Sequence, residues 1–403
     1  MKIISFILVQ IGFLILLLTG VSKTSYCQKN SYEIKGFVSN VKSGKIYLTT
    51  TQIDRKYYRT SSGLFDSAEI TNGFFNILLK YDNKIISPFR FYVQGENVEG
   101  ETGIVFLSQR NQSIKIDTIS EYISPFIAGS ETQTEMRNDY TPFFKHVIQK
   151  GKHLDSIGLE LVRLYKNNIP FETEKEYRGL CNDLVKMGDS TFLEYVKKYP
   201  NSYVTLWKLI ERFETFGYKK QYSNAFALLS TKVKETYPAK IFIKELLKLR
   251  KYSEGNLFPK LLITDTAKKK YLLDMNARVY NITLIDFWYS DCLPCLKQFP
   301  RHKLLYNQFN RRGFDIISIS VDKVKDFLKW KEIIKSENMT WNHFIDFTPL
   351  NSTELSLKFF PTNFLIGKDG RILKRNIALW DLEKFLDKNL SVQVYDNIYI
   401  DPE

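Results

Sequence analysis

Leu284-Ile285-Asp286-Phe287-Trp288-Tyr289-Ser290-Asp291-Cys292-Leu293-Pro294-Cys295 is the stretch whose reading decides the fold. The run from Ile282 to Trp288 is apolar, branched and aromatic, and reads as a buried strand. Tyr289 to Asp291 makes a sharp connection, and a helix begins at the first cysteine. At a helix start the free backbone N–H groups and the positive end of the dipole favour a thiolate. Cys292 is therefore expected to be exposed and nucleophilic. Cys295, one helical turn later, lies within reach to resolve a mixed disulfide, and the spacing follows from that chemistry.

The pair has two other readings. A C-x-x-C is also half a zinc site, which needs two more ligands. The other cysteines, Cys27 and Cys181, are far upstream, and His146, His153, His302 and His343 show no paired ligand spacing. A purely structural disulfide across so small a loop would stabilise little, because the entropic gain grows with loop length. A redox-active dithiol is the reading that uses the spacing.

Downstream, strands and helices alternate. A helix is expected from Cys292 to about Asn310, with Arg311-Arg312-Gly313 as its basic last turn and stop. Phe314–Val321 reads as a second buried strand, Lys323–Ser336 as a helix, Trp341–Phe344 as a short strand and Ser352–Lys358 as a helix. Thr362–Ile366 and Arg371–Lys374 form a hairpin through Lys368-Asp369-Gly370, and Trp380–Asn389 closes the domain. This order gives an α/β domain with a mixed sheet over residues 254–391, followed by a tail at 392–403.

Asp286-Phe287-Trp288 before the C-x-x-C, Pro300 five residues beyond Cys295, and the later Phe360-Pro361-Thr362 resemble thioredoxin. The extra helix and strand between Val321 and Thr348 look more like the TlpA/ResA-type exported thiol–disulfide oxidoreductases. The resemblance covers roughly Leu257 to Leu390. It implies a catalytic Cys292-Cys295 disulfide and a buried acid, Asp286, that exchanges a proton with Cys295 through a water. It also implies a cis-proline, Pro361, whose neighbours Phe360 and Thr362 dock the substrate strand. Pro300 would kink the active-site helix, and Trp288 would pack. Two neighbours depart from the family. Asp291 stands where Trp is frequent, and its carboxylate should oppose thiolate formation at Cys292. Gln298 stands where the ResA-like pattern has Glu, and an amide cannot buffer a proton. Both departures fall at positions that tune the pKa and potential of the dithiol.

Upstream, residues 126–253 carry helical periodicity and residues 28–125 short alternating strands, the latter implying a small antiparallel β domain. Asn72-Gly73 is expected to be the turn of a hairpin. Thr173, with Glu176 three residues on, reads as a helix N-cap. Leu159, Leu161, Val162, Leu164 and Leu180 read as core stripes, and Cys181 as a buried apolar residue. Both regions look like the N-terminal segments that accompany such domains in Bacteroidota proteins. Lys2 followed by the apolar run Ile3–Leu18 and a polar exit describes a secretory signal at 1–27, with an uncleaved anchor as the alternative. Cleavage after Cys27 fits the small-residue rule, and lipidation of Cys27 fits poorly because Tyr26 precedes it.

The net charge of +14 comes from lysines scattered along the chain, without a nucleic-acid motif, so a solvated basic surface is expected and no nucleic-acid partner. No cofactor or metal is implied. The expectation is an exported thiol–disulfide oxidoreductase of the periplasm or cell envelope, reducing disulfides of protein substrates and recycled by a membrane thiol donor. One rival is an envelope binding protein with a vestigial dithiol. The other is a thiol peroxidase, disfavoured because Tyr289 stands where a Thr or Ser would precede the peroxidatic cysteine.

Overall fold

The computed structural model describes residues 31–390 apart from 51–52, 54–55, 58–63, 81–86, 103, 108–111, 119–123, 128–130, 167, 278, 348–349 and 358. The expected signal, Cys27 and the tail lie outside the described residues. The chain divides into two compact units. One holds Met1–Glu160, Cys181–Thr215 and Asn224–Phe242; the other holds Leu161–Leu180, Phe216–Ser223 and Ile243–Glu403.

The first unit opens with β1 (Ser31–Val38), β2 (Ser43–Thr49), β3 (Leu64–Thr71), β4 (Phe74–Lys80) and β5 (Ser87–Gly95). They are followed by β6 (Glu99–Glu101), β7 (Val105–Leu107), β8 (Gln112–Asp117) and β9 (Ser124–Ile127). The sheet order is β6-β5-β2-β3-β4-β1-β8-β9, with β7 on β5. Its ladders are antiparallel except β1–β8, which is parallel and brings Gly36 opposite Ile114. Alternation sets the core: Ile34, Val38, Phe75, Ile77, Ile114 and Ile116 are buried, while Phe74 on the other face of β4 is 64% exposed. Asn72 and Gly73 both have positive φ, 51° and 83°, between the paired Thr71 and Phe74. That is the geometry a two-residue hairpin turn demands and Asn-Gly supplies.

Helices follow: α1 (Lys145–Tyr165), α2 (Phe171–Lys198), α3 (Tyr203–Phe216), α4 (Lys220–Leu228) and α5 (Tyr237–Arg250). Ser202 caps α3 by accepting the N–H of Thr205 at 3.0 Å. Buried Phe192, Tyr195, Trp207, Ile210 and Phe213 supply the helical core of the first unit. Three expectations fail here. Thr173 is not the N-cap, since α2 already starts at Phe171 and the carbonyl of Pro170 accepts the N–H of Glu174 at 2.9 Å. Leu159, Val162, Leu164 and Leu180 are exposed, at 73, 47, 57 and 45%. Cys181 is a free, partly exposed thiol. Helical spacing marks a shared face, but tertiary packing decides whether that face is covered.

The second unit contains β10 (Leu261–Asp265), β11 (Lys270–Leu273) and β12 (Ile282–Trp288), then α6 (Leu293–Leu296), α7 (Phe299–Phe309) and β13 (Phe314–Ser320). After them come α8 (Phe327–Ser336), β14 (Asn342–Ile345), α9 (Leu350–Glu354), β15 (Thr362–Gly367), β16 (Ile372–Arg375) and α10 (Leu379–Asn389). The sheet runs β11-β10-β14-β13-β12-β15-β16. The ladders joining β12, β13 and β14 are parallel and the others antiparallel. Every residue of β12 and β13 is buried, as a two-sided central strand requires. Each fully buried Leu, Ile or Phe there contributes about 1.5–3 kcal/mol. Ile282, Leu284 and Trp288 pack into one core with Phe299, Leu305 and Leu382, and both cysteines belong to it. Glu254-Gly255-Asn256 is tied to β16: the N–H of Gly255 donates to the carbonyl of Ile372 and the N–H of Ile372 to the carbonyl of Asn256, both at 2.8 Å.

Candidate active site

Strand β12 is held from both sides, by β13 and β15, and its C-terminal end delivers Tyr289 to Asp291 onto a short loop. Cys292 then caps α6. Its carbonyl accepts the N–H groups of Cys295 and Leu296 at 2.9 and 3.0 Å, and its Sγ accepts the N–H of Cys295 at 3.2 Å. Pro294 fits this first turn, where its missing N–H would have no partner. Cys292 and Cys295 are joined as a disulfide, with Cα atoms 5.2 Å apart.

Cys292 is only 2% exposed and Cys295 1%. The expectation of an exposed Cys292 is corrected: in the disulfide form both sulfurs belong to the core cluster, with Tyr289 and Phe360 packed against it. Their rings meet edge to face with centroids 5.4 Å apart. The Phe360-Pro361 peptide bond is cis. Thr362 follows at the start of β15, buried, with its hydroxyl donating to the carbonyl of Phe359 at 2.6 Å.

Asp286 shares the face of β12 that carries Leu284 and Trp288, and is 1% exposed. Its Oδ1 has no hydrogen-bond partner. Burial without a compensating donor pushes its carboxyl up to about 7. Across the sheet, Asn363, Asp286, Ser318 and His343 stand in register on four adjacent strands. The hydroxyl of Ser318 accepts the indole N–H of Trp341 at 2.9 Å. Trp288 is fully buried against Phe299, edge to face at 4.9 Å, which fits packing rather than chemistry.

The helix after the cysteines is not continuous. It breaks at Lys297 and Gln298 and restarts at Phe299, so Pro300 stands in the first turn of α7. A proline there costs no internal hydrogen bond, and the break does what a kink was expected to do. The Oε1 of Gln298 is buried without a partner. Asp291 is exposed and ion-paired with Lys329, so the charge expected to oppose a Cys292 thiolate has an ammonium beside it.

One group was missed from sequence. The carboxylate of Asp322 receives the backbone N–H of Ser290 at 3.0 Å, the hydroxyl of Ser290 at 2.8 Å and the hydroxyl of Ser320 at 2.6 Å. All three residues are buried. This knot ties the loop before Cys292 to the end of β13. A Ser two residues before the first cysteine and Ser-x-Asp after the second buried strand were the available signals.

A family model of thioredoxin-like domains matches residues 280–372. The chain carries a thioredoxin-like domain. In known proteins this domain is similar to the thiol–disulfide oxidoreductase ResA of Bacillus cereus, 28% identical over 125 residues, 31% of this chain and 69% of that protein. ResA of Bacillus thuringiensis subsp. konkukian is 28% identical over 145 residues, 35% of this chain and 81% of the relative. Among solved structures, the thioredoxin domain of a thiol–disulfide oxidoreductase from Bacteroides vulgatus aligns at 24% identity. That alignment covers 34% of this chain and 99% of the other, with a TM-score of 0.31. The thioredoxin-like domain is similar to thiol–disulfide oxidoreductases, and the strand and helical regions before it lie outside the family match.

Proposed function

We propose that the protein is an exported reductase of protein disulfides, acting through Cys292 and Cys295. The observation that carries this reading is the bonded cysteine pair at the start of α6, on one core with Leu284 and Trp288 of β12, between which stands the buried Asp286 with its Oδ1 unpartnered.

In the reduced form the Cys292 thiolate attacks one sulfur of the substrate disulfide. A Cys292–substrate bond forms, the substrate S–S bond breaks, and one substrate thiolate leaves and takes a proton. Asp286 accepts the proton of Cys295, whose thiolate attacks the Cys292 sulfur and releases the second substrate thiol. Two electrons pass from the dithiol to the substrate, and the domain is left as the disulfide seen here. A membrane dithiol protein, by the inverse exchange, returns the electrons. Phe360, Pro361 and Thr362 hold the substrate strand beside the sulfurs, with the backbone next to Pro361 free to pair with it. Export into the periplasm or cell envelope is supported by the basic, apolar, polar order of residues 1–27. No helix among the described residues is long and apolar enough to cross a membrane.

Equilibration of the purified protein with a glutathione series tests the reading. The pair should come to equilibrium at a potential more reducing than glutathione, and the reduced protein should open a model protein disulfide in a Cys292-dependent way. A pair that does not exchange at all would overturn it. Peroxide consumption dependent on Cys292 would favour a thiol peroxidase instead.

A further inference from the structure

A dithiol that reduces proteins must meet a macromolecule, and the surface beside Cys292 has a distinct chemistry. Val324, in the turn before α8, and Leu328, in the first turn of α8, are 68 and 71% exposed. Leu293, inside the C-x-x-C, is 61% exposed. Exposed apolar side chains that adjoin a reactive centre mark contact surface more often than isolated ones do.

Charge surrounds this ridge. Between Lys323 and Ser336 there are five lysines and two carboxylates, Asp326 and Glu332. Lys329 reaches back to Asp291, which fixes α8 to the residue next to Cys292. Lys325 and Lys331 are exposed. Lys268, from the β10–β11 turn, lies 5.2 Å from the ring centroid of Phe327, and Lys331 lies 5.7 Å from the same ring. One aromatic ring thus gathers two ammonium groups that would otherwise repel. The carboxylate of that turn, Asp265, already accepts the N–H groups of Ala267 and Lys269 at 2.8 Å. The result is an apolar ridge with an excess of positive charge, joined to the active-site loop by an ion pair.

We propose that the Val324–Leu328 ridge with Lys268, Lys325 and Lys331 docks an acidic polypeptide segment bearing apolar residues, adjacent to the disulfide that Cys292 attacks. The proposal rests on the reading that the dithiol reduces protein disulfides. The occupant is a polypeptide because the ion pair of Lys329 with Asp291 joins α8 to the residue before Cys292, whose sulfur must reach its partner's disulfide. Complementary charge supplies orientation and on-rate, and the ridge supplies the apolar contact.

The test compares two cystine-bridged peptides, identical except for glutamates or lysines flanking the bridge, as substrates of the full chain. The glutamate peptide should show roughly tenfold higher kcat/KM at low salt. The preference should collapse at high salt and in the Lys325→Glu, Lys331→Glu double variant. Leu328→Ser should slow both peptides. Reduction of the small neutral hydroxyethyl disulfide should be unchanged in every variant, which shows that folding and the dithiol are intact. Equal rates for the two peptides, or a preference that survives charge reversal while the small disulfide is still reduced, would overturn the docking surface alone. Failure to reduce any of the three disulfides would overturn the reductase reading and the proposal with it. Binding to phosphatidylglycerol vesicles that is lost on charge reversal, without peptide preference, would assign the lysines to lipid and also overturn it.

Discussion

Ser290 is held by Asp322: its backbone N–H lies 3.0 Å from each carboxylate oxygen, and its hydroxyl lies 2.8 Å from one of them. The carboxylate receives only donors, including Ser320 at 2.6 Å, so an amide in its place would turn an N–H₂ group toward them. Asp322→Asn should therefore cost roughly 1–3 kcal/mol in denaturant unfolding and slow disulfide exchange. Ser290→Ala, which removes one hydroxyl and spares the backbone bond, should cost about 1 kcal/mol. If Asp322→Asn exchanges and unfolds like the wild type, the knot does not position the loop.

Asp286 opposes stability at neutral pH. Its carboxyl, raised to about 7 by burial, stays protonated in the folded state while the unfolded state has already ionised. Stability attached to this group is full below about pH 4 and is lost as the pH rises to 7, a change of roughly 4 kcal/mol. Asp286→Asn should raise stability at pH 8, leave it nearly unchanged at pH 4, and flatten the pH dependence of the exchange rate near 7. Thermal unfolding across that range, paired with the rate profile, is the measurement. A variant no more stable than the wild type at pH 8 would contradict the burial argument.

His302 has the opposite sign. It is fully buried between Phe299 and Trp341, neither ring nitrogen has a partner, and burial lowers its ring to about 4. The unfolded state takes up a proton near pH 6.5 that the folded state refuses until about 4, so stability is lost as the pH falls through that window. The loss is roughly 3 kcal/mol. His302→Leu should recover much of it at pH 4.5 and change little at pH 8, as read by denaturant midpoints. Equal effects at both pH values would show that shape, rather than titration, governs the site.

What the sequence disclosed follows from the range of the interactions. The β12–α6 stretch was legible because strand, turn and helix start are each set by neighbours within a few residues, and the C-x-x-C spacing is itself local. The Asn72-Gly73 turn was legible for the same reason. The Ser290–Asp322 knot was not, since it joins residues 32 apart and only the β12–β13 pairing brings them together. The β10–β11 hairpin was missed because Leu261, Leu262 and Ile263 run without clean alternation. Burial was the weakest inference, and it failed in both directions. Leu159 and Leu164 keep helical spacing yet face solvent, whereas Cys292, expected at the surface by its place at a helix start, is packed into the core.

The central claim is that Cys292 attacks a partner's disulfide and Cys295 resolves the product. Replacing Cys295 with Ala removes the resolving thiol and should leave Cys292 joined to its partner. Such species should survive alkylation, migrate as larger bands without reductant, and disappear on reduction or when Cys292 is also replaced. A Cys295→Ala protein that captures no partner in the cell envelope and forms no adduct with an oxidised model protein would contradict the account.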